Sequence, residues 1–149
     1  MAFRFNLESV LKHRKRLEDV AHRDFAEAQS AVDVILRKLE GMYQRMDEVR
    51  VEISQAQRGT SGSKLAEVCD MEGFISGHKI RIEMVRLQAR ELLRVAEEKQ
   101  EALILAAQEK KVLVKLKEKR LVEYKDWLNR IEAKNADDQT QMRQAWGKK

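Results

Sequence analysis

The chain has 149 residues, of which 37% are charged, 5% are aromatic and none is proline. So few aromatics and so little turn chemistry exclude an ordinary compact core, while 43% apolar residues recurring at regular intervals exclude a disordered chain. Thirty basic residues against 25 acidic ones leave a net charge of +5, which favours acidic partners without demanding nucleic acid.

The N-terminal stretch FRFNLESVLKHRKR (3–16) places Phe3 and Phe5, two of only four phenylalanines, beside a knot of positive charge. It does not read as a secretion signal, because Arg4, Asn6, Glu8 and Lys12 interrupt any apolar run. Asn6 is placed to cap a helix that begins at Leu7. Leu17, Ala21 and Phe25 step by fours, a single phase slip in the winding. From there Phe25, Ala28, Val32, Ile35, Leu39, Met42, Met46, Val49, Ile53 and Ala56 alternate by threes and fours. That is an unbroken a/d seam, and it predicts a helix over about 7–57, roughly 75 Å long.

RGTSGSK (58–64) packs two glycines, two serines and a threonine into seven residues and predicts a turn. The seam then resumes through Met71, Ile75, His78, Ile82, Val85, Ala89, Leu92, Ala96, Lys99, Leu103 and Ala106. Beyond that it weakens: Lys110, Lys117 and Arg120 take seam positions while Leu113, Leu116, Leu121, Tyr124, Leu128 and Ile131 drift around them. The predicted second helix covers about 65–140, weakened by NADDQT (135–140), and the final GKK is expected to be mobile.

Two long helices joined by one short turn must run antiparallel. The predicted fold is therefore all-α, a single antiparallel coiled-coil hairpin over residues 1–149. Each residue faces one numbered roughly 122 to 130 minus its own number, given a short connection. Leu39 then faces about Val85 and Phe25 about Ala102, and helix two overhangs beyond about Leu128. This register also sets HRKR (13–16) opposite the basic run from Lys110 to Arg120, a like-charge juxtaposition that destabilises a coiled coil. Either the long side chains splay into water or an acidic partner takes them up. Phe3 and Phe5 lie outside the heptad frame, where little of the chain is expected to cover them. Aromatics beside arginine are typical interface anchors.

Catalysis needs groups that converge from several elements, and a two-stranded coil offers no pocket for them. The chain therefore reads as non-enzymatic, with no cofactor and no metal. His13, His22 and His78 lack ligand spacing, and His78 in the seam reads as a register residue. Cys69, the only cysteine, has no internal disulfide partner, fits a reducing compartment, and reads as a small apolar filler. Met42/Met46 and Met71/Met84 read as adaptable seam packing. GTSGSK lacks the spacing and the preceding strand of a phosphate loop. No apolar run reaches the length of a membrane span, and the chain is expected to be cytoplasmic. Two other readings share the periodicity. One is a scaffolding coiled coil that needs a second chain to close its seam. The other is a basic rod on nucleic acid, which the acidic residues along both helices and the lack of an aromatic platform disfavour.

FRFNLESVLKHR, the following Glu18, DFAEAQ (24–29) and FISGHKI (74–80), together with the length and the central turn, resemble the flagellar export protein family FliJ. The resemblance implies a non-enzymatic, antiparallel coiled coil similar to the γ-subunit stalk of F-type rotary ATPases. It implies as partners a hexameric flagellar export ATPase, whose ring it helps assemble, a membrane export-gate protein, and export chaperones. The stalk proteins of virulence type III secretion are a close variant. It implies a cytoplasmic protein peripherally associated with the inner membrane at the flagellar base, serving flagellum biogenesis and motility. In such a stalk the paired chain ends enter the ring. On that analogy Phe3, Phe5, Leu7, Val10, Leu11 and Arg14 contact the ATPase, and Arg16, Lys117 and Arg120 supply charge. The gate contact falls early in helix two, at Phe74, His78 and Arg81, although the latter two stand where smaller or apolar residues are expected.

Overall fold

The computed structural model of the chain describes residues 3–59 and 63–147. It is an all-α helical hairpin of α1 (Glu8–Gln57) and α2 (Ser63–Trp146), with no strand among the described residues.

The helix ends follow local chemistry. The Leu7 carbonyl accepts the Leu11 amide at 2.9 Å, and the Phe5 carbonyl accepts the Glu8 amide at 3.2 Å. Leu7, not Asn6, therefore occupies the cap, and Glu8 enters the first turn, where a carboxylate complements the helix dipole. Arg58 and Gly59 are non-helical, and the Gly59 amide bonds the Ala56 carbonyl at 3.1 Å. The rest of the predicted turn includes 60–62, which lie outside the described residues, and α2 is already formed at Ser63. α2 also continues past its predicted end. Asn, Asp and Thr are weak helix formers but not breakers. The Thr140 hydroxyl donates to the Ala136 carbonyl at 2.8 Å, and the helix stops only at Gly147. Of the expected mobile tail, Lys148 and Lys149 lie outside the described residues.

The chain forms two compact units, a terminal one (Met1–Asp19 with Ile104–Lys149) and a turn-containing one (Val20–Leu103). In the turn-containing unit all ten seam residues from Phe25 to Ala56 are buried or half-buried. Leu39, Met46, Ile82, Val85 and Ala89 form one buried cluster, with Ile35, Met42 and Ile75 packed against it. Leu39 and Val85 thus share a cluster, as the register predicts. Ala96 is buried, and Ala89 is buried in the cluster with the larger Leu39 and Met46 of α1, so small and large residues pack together there. Three expectations fail. Met84 is 60% exposed, Cys69 is exposed, and Lys99 points to solvent although it sits on the seam period. Met84 and Cys69 are off the 4-3 line, and a lysine can leave a seam by extending its stem.

In the terminal unit the partner's number falls as the residue number rises: Phe3 meets Tyr124, Glu8 meets Lys117 and Arg14 meets Glu109. The pairing is antiparallel and in the predicted register. Leu128 and Ile131 are still half-buried, whereas every residue from 132 to 147 is exposed.

The seam carries the stability. Ile82 is 3% exposed and Val34 61%. Ile82→Ala should lower the free energy of unfolding by about 2–4 kcal/mol and Val34→Ala by no more than about 0.5 kcal/mol, read by far-UV circular dichroism in urea. Equal effects would contradict the assignment of the seam.

Candidate functional site

The terminal unit gathers most of the candidate contact residues. The non-helical segment 3–7 lies against α2. The Phe3 ring sits 5.6 Å from Tyr124, tilted by 46°, and Tyr124 sits 5.8 Å from Trp127. Phe5 is only 8% exposed. The expectation that both phenylalanines stand uncovered is therefore wrong. α2 carries Tyr124 past the start of α1, and its ring covers Phe3.

The expected clash of positive charge is also replaced. Three carboxylates that flank the basic runs meet cations across the helix pair. Glu8 bonds Lys117 at 2.7 Å, Glu18 pairs with Lys110, and Arg14 pairs with Glu109. Glu18 is the most shielded, its side chain 13% exposed against 28% for Lys110. Lys110 and Lys117 do occupy seam positions. Their stems lie along the interface while each ammonium reaches a carboxylate on α1. Arg120, expected in the seam, is exposed. The hydrogen bond from Lys117 holds the Glu8 carboxyl below the ordinary glutamate value. Partial desolvation opposes this, and the positive charges of Lys117, Lys12 and Lys15 reinforce it.

The other candidates sort by exposure. Leu11 is buried and belongs to the packing, as Phe5 does. Phe3, Arg14 and Lys117 are half-buried. Leu7 and Val10 are exposed at 38% and 40%, and Arg16 and Arg120 are exposed. An open cleft beside them is walled by Phe3, Phe5, Leu7, Leu116, Tyr124 and Trp127, with Arg4, Arg120 and Glu123 at its rim. Arg4, Tyr124 and Trp127 were not among the sequence candidates. The signal was present, since the register sets Tyr124 opposite Phe3 in a chain with few aromatics.

The second candidate group lies in the turn-containing unit. The Phe74 ring stacks on His78 at 5.1 Å and 20°, and the guanidinium groups of Arg81 and Arg45 lie 5.6 Å and 5.9 Å from its centre. His78 is buried, and its Nε2–H donates to the Met42 carbonyl at 2.8 Å. Its side chain faces inward, as a register residue. Phe74 and Arg81 keep surface, joined by Arg45, which the sequence reading missed. Among the described residues no group of His, Cys, Asp and Glu could hold a metal, and no helix is long and apolar enough to cross a membrane.

A family model described as flagellar FliJ protein matches residues 3–149. The chain belongs to the FliJ family. The match runs through both units, and it includes the N-terminal segment that packs on Tyr124. No curated protein and no solved structure matches the chain. FliJ membership makes this a flagellar, export-related protein.

Because the Glu8 carboxyl is lowered on folding, its contribution is present above the ordinary glutamate value and is lost as pH falls through the lowered one. A carbon-13 titration should place Glu8 below a random-coil glutamate, and Lys117→Met should bring it back up. A Glu8 midpoint unmoved by Lys117→Met would show that the bond does not form.

Proposed function

We propose that this FliJ-family chain is a non-enzymatic, cytoplasmic part of the flagellar type III export apparatus. In this reading it is a stalk whose terminal unit binds and stimulates a hexameric export ATPase. The observation that carries the reading is the clasped terminal unit. A stalk that enters a ring must hold its two chain ends as one body, or the ends would fray inside the ring. Here the burial of Phe5, the Phe3–Tyr124 contact and three ion pairs across the helices do that. Leu7 and Val10 are left outward, Leu7 lines a cleft with Arg4 and Arg120, and Arg16 is exposed farther along α1, an apolar and cationic surface suited to an acidic partner.

The same reading gives the membrane export gate to the surface around Phe74 and Arg81, with Arg45 beside them, and places the chain peripherally at the inner membrane. Export chaperones are further partners in this scheme. Phe5, Leu11 and His78 act through packing, and Arg14 and Lys117 through the clasp.

The test is ATP hydrolysis by the purified export ATPase with increasing amounts of the chain. Leu7→Asp with Val10→Asp should weaken apparent affinity about 30-fold or more, the effect of removing central apolar contacts. Asp is a better helix cap than Leu, so the change at position 7 does not harm α1. Undiminished stimulation by a fully helical double variant would refute the assignment of the tip.

A further inference from the structure

A second apolar line runs along α2 in the turn-containing unit. Ile80, Met84 and Leu87 are 65%, 60% and 61% exposed and keep the 4-3 spacing. They are two residues out of phase with the seam residues His78, Ile82 and Val85. Two residues are about 200° around a helix, so the line runs along the back of α2. Gly73 and Gly77 extend the same rhythm upstream. A glycine inside a helix costs about 1 kcal/mol relative to alanine. Nothing within the unit requires either one. No described glycine has positive φ, a Cβ on Gly73 would meet nothing within 4 Å, and one on Gly77 would meet only the Arg81 side-chain end at 3.9 Å. The open space lies outside the chain, where a second helix could approach closely.

We infer that the back of α2 pairs with the same face of a second copy of this chain, antiparallel, about a two-fold axis at Ile80. The face is complementary to itself. Turned end for end about Ile80, Leu87 falls over the copy's Gly73 and Met84 over the copy's Ser76, next to Gly77, so each large side chain meets small residues. Charge agrees on the near flank: Glu72 falls beside the copy's Arg90, and Lys79 beside the copy's Glu83. Glu72, Lys79 and Arg90 enter no ion pair among the described residues. Glu83 has only its exposed partner Arg86 at 2.7 Å. On the far flank the two Arg81 residues would approach, but each guanidinium is held over its own Phe74 ring. A two-fold pairing of this kind is isologous and closes at two chains. The contact spans only residues 72–90, well short of a standard interface of about 1,600 Å², so the pair is weak and dilutes to folded monomers. It uses none of the terminal unit's contact residues.

The experiment uses the full chain with Cys69→Ser and a single cysteine introduced by Ile80→Cys. Under mild oxidation it should form a covalent dimer at least about tenfold faster than the same chain carrying Val34→Cys, because association raises the local thiol concentration. Sedimentation equilibrium of the unmodified chain should show mass rising with concentration. Gly77→Leu should abolish that rise while stabilising the helix, which separates loss of pairing from loss of folding. Equal oxidation rates at positions 80 and 34, or a mass of one chain at every concentration, would overturn the proposal.

Discussion

An apolar line repeating every three and four residues must be covered along its length. In this chain its own second helix covers it. Val32 on α1 at 1% exposure and Ile82 on α2 at 3% show how completely the two helices cover each other in the turn-containing unit. Once each helix covers the other, the register fixes which polar residues meet. It brings Phe3 onto Tyr124, Glu8 onto Lys117, and the His78 imidazole onto the Met42 carbonyl.

The charged residues at the seam select among registers rather than add much stability. An apolar seam tolerates a slip of one heptad with little loss. The shielded Glu18–Lys110 pair does not, because a slip would leave each charge without its partner. The His78 bond to the Met42 carbonyl keeps a buried N–H satisfied, but a backbone carbonyl recurs seven residues on, so it does not choose between heptads. Exposed pairs such as Arg45–Glu48 contribute little beyond keeping the outer surface soluble.

The helices and their pairing were legible because heptad spacing is a direct record of burial: each of the ten seam positions on α1 is buried or half-buried. The end of α1 was legible from Gly59, whose amide meets the Ala56 carbonyl. The end of α2 was not, since Asn135 to Thr140 lower helix propensity without a proline or glycine to stop it. The candidate site was half legible. The register located Tyr124 opposite Phe3, but reading HRKR and Lys110–Arg120 as blocks hid the carboxylates of Glu8, Glu18 and Glu109 that flank them. Spacing alone could not tell that Phe5 turns inward, because residues 3–7 are not helical and carry no period. Met84 and Cys69 read as packing residues by type alone, whereas their place off the 4-3 line puts them outside.

For the stalk role proposed above, closing the seam within one molecule is what would let the two ends act together without a second chain. The most direct test is a pair of double-cysteine variants in a Cys69→Ser background: Glu8→Cys with Lys117→Cys, and Leu39→Cys with Val85→Cys. At high dilution both should oxidise to disulfides within single chains, visible as faster-migrating monomers. Products joining two chains, or no disulfide at all, would mean that these helices do not pair with each other in one molecule.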